Sequence, residues 1–336
     1  MTQKRRVVPR LACALPPSRD FPAHAKLAEE LGYTRVWAFD SPALYGDVWV
    51  ALARAADATE RIGLATGVAV PFSRHPLVTA SAIATVAELA PGRVSCALGT
   101  GFTAAGALGR RPMTWAGLTR YIEQLRSLLR GDVVEIDGAQ CRMIHSPGFA
   151  PARPIEAELY LAPIGPKGMA AARDHADGVL LVMPADAAHW PMVGLLVNGT
   201  VLGPGEDHGS QRVIDAVGPQ YAAGIHALWQ WSPDLIKEVP GGPEWLDSLE
   251  QVPPDRHHLA VHEGHLVTVT QRDEVLVREA GTRLTEHAWT GTAEAIRHRA
   301  QETAGLGVTE LLYNPSGTNI PDELKRFAEA VNGSAA

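Results

Sequence analysis

The sequence predicts an α/β protein: a closed eight-fold β/α barrel interrupted by two insertions. Three observations predict it. First, residues 62–101 read as strand, helix, strand. An apolar β-rich run over 62–70 precedes helical spacing at Leu77, Ala80, Ile83, Ala84 and Ala87, and a second apolar run over 94–98 follows. Short links make those two strands parallel. Second, the same unit recurs over most of the chain, which favours a closed barrel over an open doubly wound sheet, the structural alternative. Third, 336 residues with 46% hydrophobic content suffice to fill one barrel-sized core. Residues 1–336 are therefore read as a single domain, since barrels of this length are common.

The elements follow in order. Residues 7–15 form the first strand, ended by Pro16-Pro17. Asp20 and Pro22 start a helix that runs to Leu31 and stops at Gly32. The second strand, 35–39, delivers Asp40-Ser41-Pro42, and a helix over 47–59 leads into the unit already described. A helix over 115–129 closes on Gly131. Asp137-Gly138 between alternating apolar residues signals a hairpin, so 133–145 is an excursion from the alternation. The fifth strand spans 158–162. Gly165-Pro166-Lys167-Gly168 opens the next helix, and Asp177-Gly178 turns into a sixth strand over 179–183. From 184 to 257 the alternation lapses into Gly-Pro clusters, four tryptophans and one helix over 222–231. Such an insertion reads either as a substrate-side lid or as an oligomer contact. The seventh strand is placed at 258–270, a helix at 292–304, the eighth strand at 308–313 and a closing helix at 322–331.

Composition narrows the function. The formal net charge of -7 argues against a nucleic-acid or anionic-membrane partner. The basic start, Lys4-Arg5-Arg6, is read as a solvated terminus. No apolar stretch reaches spanning length and no signal peptide precedes the first strand, so a cytoplasmic location is expected. Cys13, Cys96 and Cys141 are too few and too scattered for a disulfide framework or a zinc site.

The run from Arg74 to Val94 (RHPLVTASAIATVAELAPGRV), followed by Ala97-Leu98-Gly99-Thr100-Gly101, resembles the luciferase-like flavin and deazaflavin oxidoreductases. The nearest branch is the methylenetetrahydromethanopterin reductase type. The resemblance is clear over 25–178 and looser beyond. It implies a β/α (TIM) barrel whose strand ends hold a redox cofactor, with coenzyme F-420 as the first choice and FMN as the second. It implies a cis peptide at the end of the third strand, placed here between Gly67 and Val68. It also implies a phosphate grip at Gly165, Pro166, Lys167 and Gly168. Helix N-termini offer free N–H groups and partial positive charge, and glycine lets an anion approach them.

Asp40 closes the second strand at the predicted active end, and the resemblance gives it a hydrogen bond to cofactor or substrate. A helix or turn cap before Pro42 is the plainer reading. Sugar-phosphate-oxidising relatives often carry His next; here Ser41 stands there and is read as substrate-facing. Those relatives put an acid after the Gly99-Thr100-Gly101 cofactor contact; here Phe102 follows and would wall an apolar pocket. Ala162, at the end of the fifth strand, completes the cofactor set. Arg110 and Arg111 read as solvated loop residues. His262-Glu263-Gly264-His265 sits in a segment read as strand, where an odd offset sends the two rings to opposite faces, so no metal is expected. One of His262 and His265 is expected near the substrate as an acid/base or hydrogen-bonding group. His75, His145 and His226 are weaker candidates.

The expected function is hydride transfer between coenzyme F-420 or FMN and a small organic substrate, with a homodimer as the usual assembly among lookalikes. The alternatives are an FMN-dependent monooxygenase using reduced flavin and oxygen, a non-catalytic flavin-binding barrel, and a metal-dependent barrel hydrolase built on Asp40 and the histidines around Glu263.

Overall fold

The computed structural model describes residues 8–333 except 186 and 188. Lys4, Arg5 and Arg6 lie outside the described residues. Ten strands are present: β1 (Arg10–Leu15), β2 (Arg35–Ala38), β3 (Gly63–Ala69), β4 (Val94–Leu98), β5 (Val134–Ile136), β6 (Ala139–Cys141), β7 (Glu158–Leu161), β8 (Gly178–Leu181), β9 (Val193–Asn198) and β10 (Glu310–Asn314). Eight of them close into a parallel barrel in the order β1-β10-β9-β8-β7-β4-β3-β2, while β5 and β6 pair as the expected hairpin.

Local signals account for most elements. Asp47 caps the helix Val48–Ala58 by accepting from Trp49 N and Val50 N, and Thr114 caps Trp115–Arg130 through Gly117 N. All three N–H groups sit where a helix lacks internal partners. That second helix ends on left-handed Gly131, as expected. Two apolar layers result. One lies between strands and outer helices; the other fills the barrel interior with Trp37, Tyr160, Leu312 and the small residues Ala12, Ala14, Ala65 and Ala97.

The structure corrects the seventh strand. Residues 258–270 are not a strand: His257–His262 is a short helix, followed by a turn. The seventh barrel strand is β9, inside the stretch expected to be insertion, and it pairs with β8 and β10. Among the described residues no helix separates β8 from β9, so the alternation that locates the other strands is broken there.

The chain then leaves the barrel through a helical excursion. It departs and returns at one stem, where Trp289 N donates to Asn198 O (2.6 Å) and Leu202 N to Gly291 O (2.9 Å). Its longest helix, Gln211–Trp231, extends well beyond the ten residues expected. It has its own core of Ile225, Ile236, Trp245, Leu249, Val261, Val275 and Leu276. Arg212 ties it to the closing helix Ile320–Asn332, donating to Glu323 Oε1 (2.7 Å) and Glu206 Oε1 (2.6 Å). Among the described residues no helix is long and apolar enough to cross a membrane.

Candidate active site at the barrel mouth

The peptide between Gly67 and Val68 is cis, at the bond expected from the sequence. The pairing of β3 with β4 slips in register between Thr66 and Ala69, so this step bulges from the sheet at its carboxyl end. Side chains are excluded here by contact. A Cβ on Gly67 would lie 2.8 Å from Trp37 Cβ, and one on Gly99 would lie 2.6 Å from Val68 Cγ2. The floor of the mouth is therefore backbone and one valine.

Above this floor is a cavity of about 330 Å³. It gathers Asp40, Ser41, Gly67, Val68, Gly99, Thr100, Gly101, Phe102, Ala162 and His265. All but His265 arrive from β2, β3, β4 and β7, because parallel strands deliver their following residues to one end. Phe102 packs on Trp231 with ring centroids 4.7 Å apart, and the pair makes an apolar wall. A larger cavity of about 750 Å³ lies in the excursion, lined by residues such as His208, Ile214, Val269 and Leu284. None of the expected site residues lines it, and no strand end faces it, so size alone is a poor guide here.

Asp40 is buried, and its Oδ2 accepts from Val70 N at 3.0 Å. Burial pushes its carboxyl up to about 6, although the Val70 N–H and the Arg74 guanidinium pull the other way. The Asp40 carboxyl is thus half-protonated near pH 6, at the edge of an apolar slot. The cap reading for Asp40 is not what the structure shows: it holds the far end of β3.

Helix Gly165–His175 begins beside the same cavity, through Ile164, with no side-chain cap on its first N–H groups. Lys167 points to water. Gly168 is buried, and a Cβ there would lie 2.6 Å from the Trp115 ring, so packing alone already demands glycine.

The structure also corrects the view of His262 and His265. They do not diverge across a strand. His262 ends a helix and His265 sits in the turn after it, and both rings converge with that of His226. His265 lines the mouth; His262 lies behind it, against a side cavity beside Ala43 and Leu44. Burial, with His226 and His258 nearby, lowers His262 to about 4, and burial with His226 and His262 lowers His265 to about 3. Both rings are therefore neutral near pH 7. His75 is structural, its Nδ1 accepting from Leu77 N, and His145 contacts Arg153. Arg110 and Arg111 are exposed.

Sequence reasoning missed Phe39, Tyr45, Val70, Ile164, Val182, Ala227, Trp231 and Leu266 on the cavity wall. Phe39, Val70 and Val182 could have been found as neighbours of strand ends. Ala227, Trp231 and Leu266 come from the excursion, and nothing local marks them.

Comparison with known proteins gives the family and supports the fold. Residues 5–310 match the family described as luciferase-like monooxygenase. The chain is 34% identical over 169 residues to 5,10-methylenetetrahydromethanopterin reductase of Methanolobus tindarius, covering 47% of this chain and 48% of that protein. It is 32% identical over 174 residues to an F-420-dependent hydroxymycolic acid dehydrogenase of Mycobacterium tuberculosis, covering 46% and 47%. The matches thus span about half the length of these curated relatives. The fold is similar to the coenzyme F-420-dependent tetrahydromethanopterin reductase of Methanopyrus kandleri (TM-score 0.66, 18% identity, 97% of this chain and 99% of that one). It is also similar to the oxygenating constituent of 3,6-diketocamphane monooxygenase of Pseudomonas putida in complex with FMN (TM-score 0.59, 12% identity, 98% of each).

Proposed function

From the premise that this chain belongs to the luciferase-like monooxygenase family, we propose that it is an oxidoreductase using coenzyme F-420, acting on a small organic substrate. The observation that carries the reading is the mouth itself: a slot floored by the cis Gly67–Val68 step and Gly99, walled by Phe102 and Trp231. Two curated relatives whose names point to the deazaflavin or its pterin-linked chemistry support the cofactor choice.

The residues fit such a group. A flat tricyclic ring needs a floor with little side-chain bulk, and Gly67, Gly99 and Gly101 with the single Val68 side chain supply one. Ala162 and Ile164 would flank it, and the uncapped N-terminus at Gly165 would meet an acidic tail, since those N–H groups lack partners. When bound, the ring supplies a two-electron donor or acceptor for a hydride. The chain supplies the rest. Asp40, anchored on Val70 N, presents a carboxyl that can hold or release a proton near neutral pH. Phe102 and Trp231 exclude water and favour an apolar substrate face. His265 offers a neutral imidazole at the edge of the slot. A homodimer, expected from the resemblance, and a cytoplasmic location, expected from the sequence, belong to the same proposal.

The family description favours a second reading, an FMN-dependent monooxygenase. Titrating the purified protein with each cofactor and following ring fluorescence separates the two. Saturable binding of F-420 that exceeds FMN binding is expected. FMN binding with no F-420 binding overturns the first reading. Binding of neither rules out both.

A further inference from the structure

We propose that His226, His262 and His265 form a binding site for one transition-metal ion of the zinc, cobalt or nickel class. One ring nitrogen from each residue lies within 4.8 Å of the others. The ring centroids are 6.3, 6.2 and 5.8 Å apart. Every ring carries a buried nitrogen without a hydrogen-bond partner: Nδ1 of His226, both nitrogens of His262, and Nδ1 of His265. Buried polar atoms are nearly always paired, so this many orphans in one place mark a missing partner.

The surroundings have the form of a metal site's outer layer. His226 Nε2–H donates to Asp273 Oδ1 at 3.0 Å. Asp273 in turn accepts from Trp245 Nε1 (2.9 Å) and Thr270 Oγ1 (2.6 Å), so it is held in place and is not itself free to ligate. A carboxylate on one ring nitrogen fixes the tautomer and leaves the other nitrogen's lone pair available, as is usual for metal-binding histidine. For His226 that free nitrogen is Nδ1. Tyr45 Oη donates to His265 O at 2.8 Å, which pins the turn. Gly264 has φ +70, and a Cβ there would lie 2.8 Å from Thr268 O. That glycine bends the chain back so that rings three residues apart can meet.

The donor set selects the ion. Three imidazoles with no carboxylate in reach disfavour calcium and magnesium and suit zinc, nickel, cobalt or copper. Zn–N bonds of roughly 2.0–2.1 Å place tetrahedral ligand atoms roughly 3.4 Å apart, so the widest pair closes on loading. Three protein ligands leave a fourth position for water or another small ligand. His265 is the member that also lines the mouth cavity.

The test uses the full chain, stripped with chelator and titrated with Co²⁺ and then Zn²⁺. One equivalent of Co²⁺ with visible ligand-field bands, displaced by Zn²⁺, is expected, together with a rise in Tm. His265→Ala, at the least buried of the three positions, should abolish the bands while far-UV circular dichroism stays native. Asp273→Asn should weaken binding by about 10–100-fold. Absence of Co²⁺ binding to the folded wild type overturns the proposal, as do bands that survive His265→Ala. If that variant does not fold, ring-nitrogen NMR of the wild type decides. Three histidines shifting together with one equivalent of Zn²⁺ support the site, and fewer than three overturn it. None of these readouts depends on the redox cofactor.

Discussion

The two ends of the barrel use polar residues in opposite ways. At the amino ends of the strands, Arg35, Glu158 and Glu310 neutralise one another. Arg35 lies 3.3 Å from Glu158 Oε2 and 3.8 Å from Glu310 Oε2, and its guanidinium stacks over Trp37 and Tyr160. Glu310, only 1% exposed, also accepts from Thr34 Oγ1 (3.2 Å) and Trp37 Nε1 (3.3 Å). At the carboxyl ends, polar groups stand with few partners or none: the Asp40 side chain has one backbone donor, helix Gly165–His175 has no side-chain cap, and neither ring nitrogen of His262 has a hydrogen-bond partner. A closed network stabilises the fold; an open one waits for a ligand. The contrast separates the residues that hold the barrel from those that give it something to hold.

The largest test is at the closed end. Glu310→Ala leaves the Arg35 charge and the Trp37 N–H without their buried partner, and breaking such a pair costs about 3–5 kcal/mol. The expected result is a large fall in the urea midpoint, with cofactor affinity of the folded fraction unchanged. A loss of affinity without a loss of stability would erase the distinction between the ends.

The next test is at the open end and turns on pH. Asp40 binds its proton more tightly folded than unfolded, because its carboxyl is raised to about 6. Its contribution to stability is therefore full below the ordinary carboxylate range and is lost as pH rises through about 6. Asp40→Asn removes that slope. The variant should match the wild type near pH 4 and exceed it at pH 7 by up to about 3 kcal/mol, the equivalent of a two-unit shift. Melting temperatures of both proteins across that range check it; a difference that does not change with pH would show that Asp40 is not held this way.

The smallest stability effect and the clearest binding effect should come from Gly99→Ala. The added methyl meets only the end of the Val68 side chain, so overpacking should cost about 1 kcal/mol, the low end for such changes. Moving Val68 disturbs the floor of the slot, and F-420 affinity should fall about tenfold, equivalent to 1.4 kcal/mol. A drop in Tm with affinity intact would assign Gly99 to the fold rather than to the site.

Legibility followed the range of the contacts. The first four strands, their helices, the hairpin and the cis step at Gly67–Val68 could be read because each rests on neighbours in sequence: apolar periodicity, a cap, a glycine stop, a motif of continuous residues. β9 could not. Val193–Asn198 is a short apolar run, and without a preceding helix nothing local distinguishes it from other apolar turns in that stretch. A strand around His262 and His265 would send their rings to opposite faces; one helical turn with a left-handed glycine reverses that geometry.

By itself, then, the sequence determined the β/α repetition and the Gly-rich strand ends, which rest on short-range spacing, and a continuous run of residues carried the resemblance to the family. Only the tertiary structure decided that Trp231 walls the mouth, that Glu310 sits between Arg35 and Trp37, and that three histidines from two distant helices and a turn share one buried space. Most of those meetings join residues far apart in the chain, 128 positions at Gln230–Phe102 and 273 at Trp37–Glu310 for example. No local periodicity encodes them; barrel closure and the packing of the excursion do.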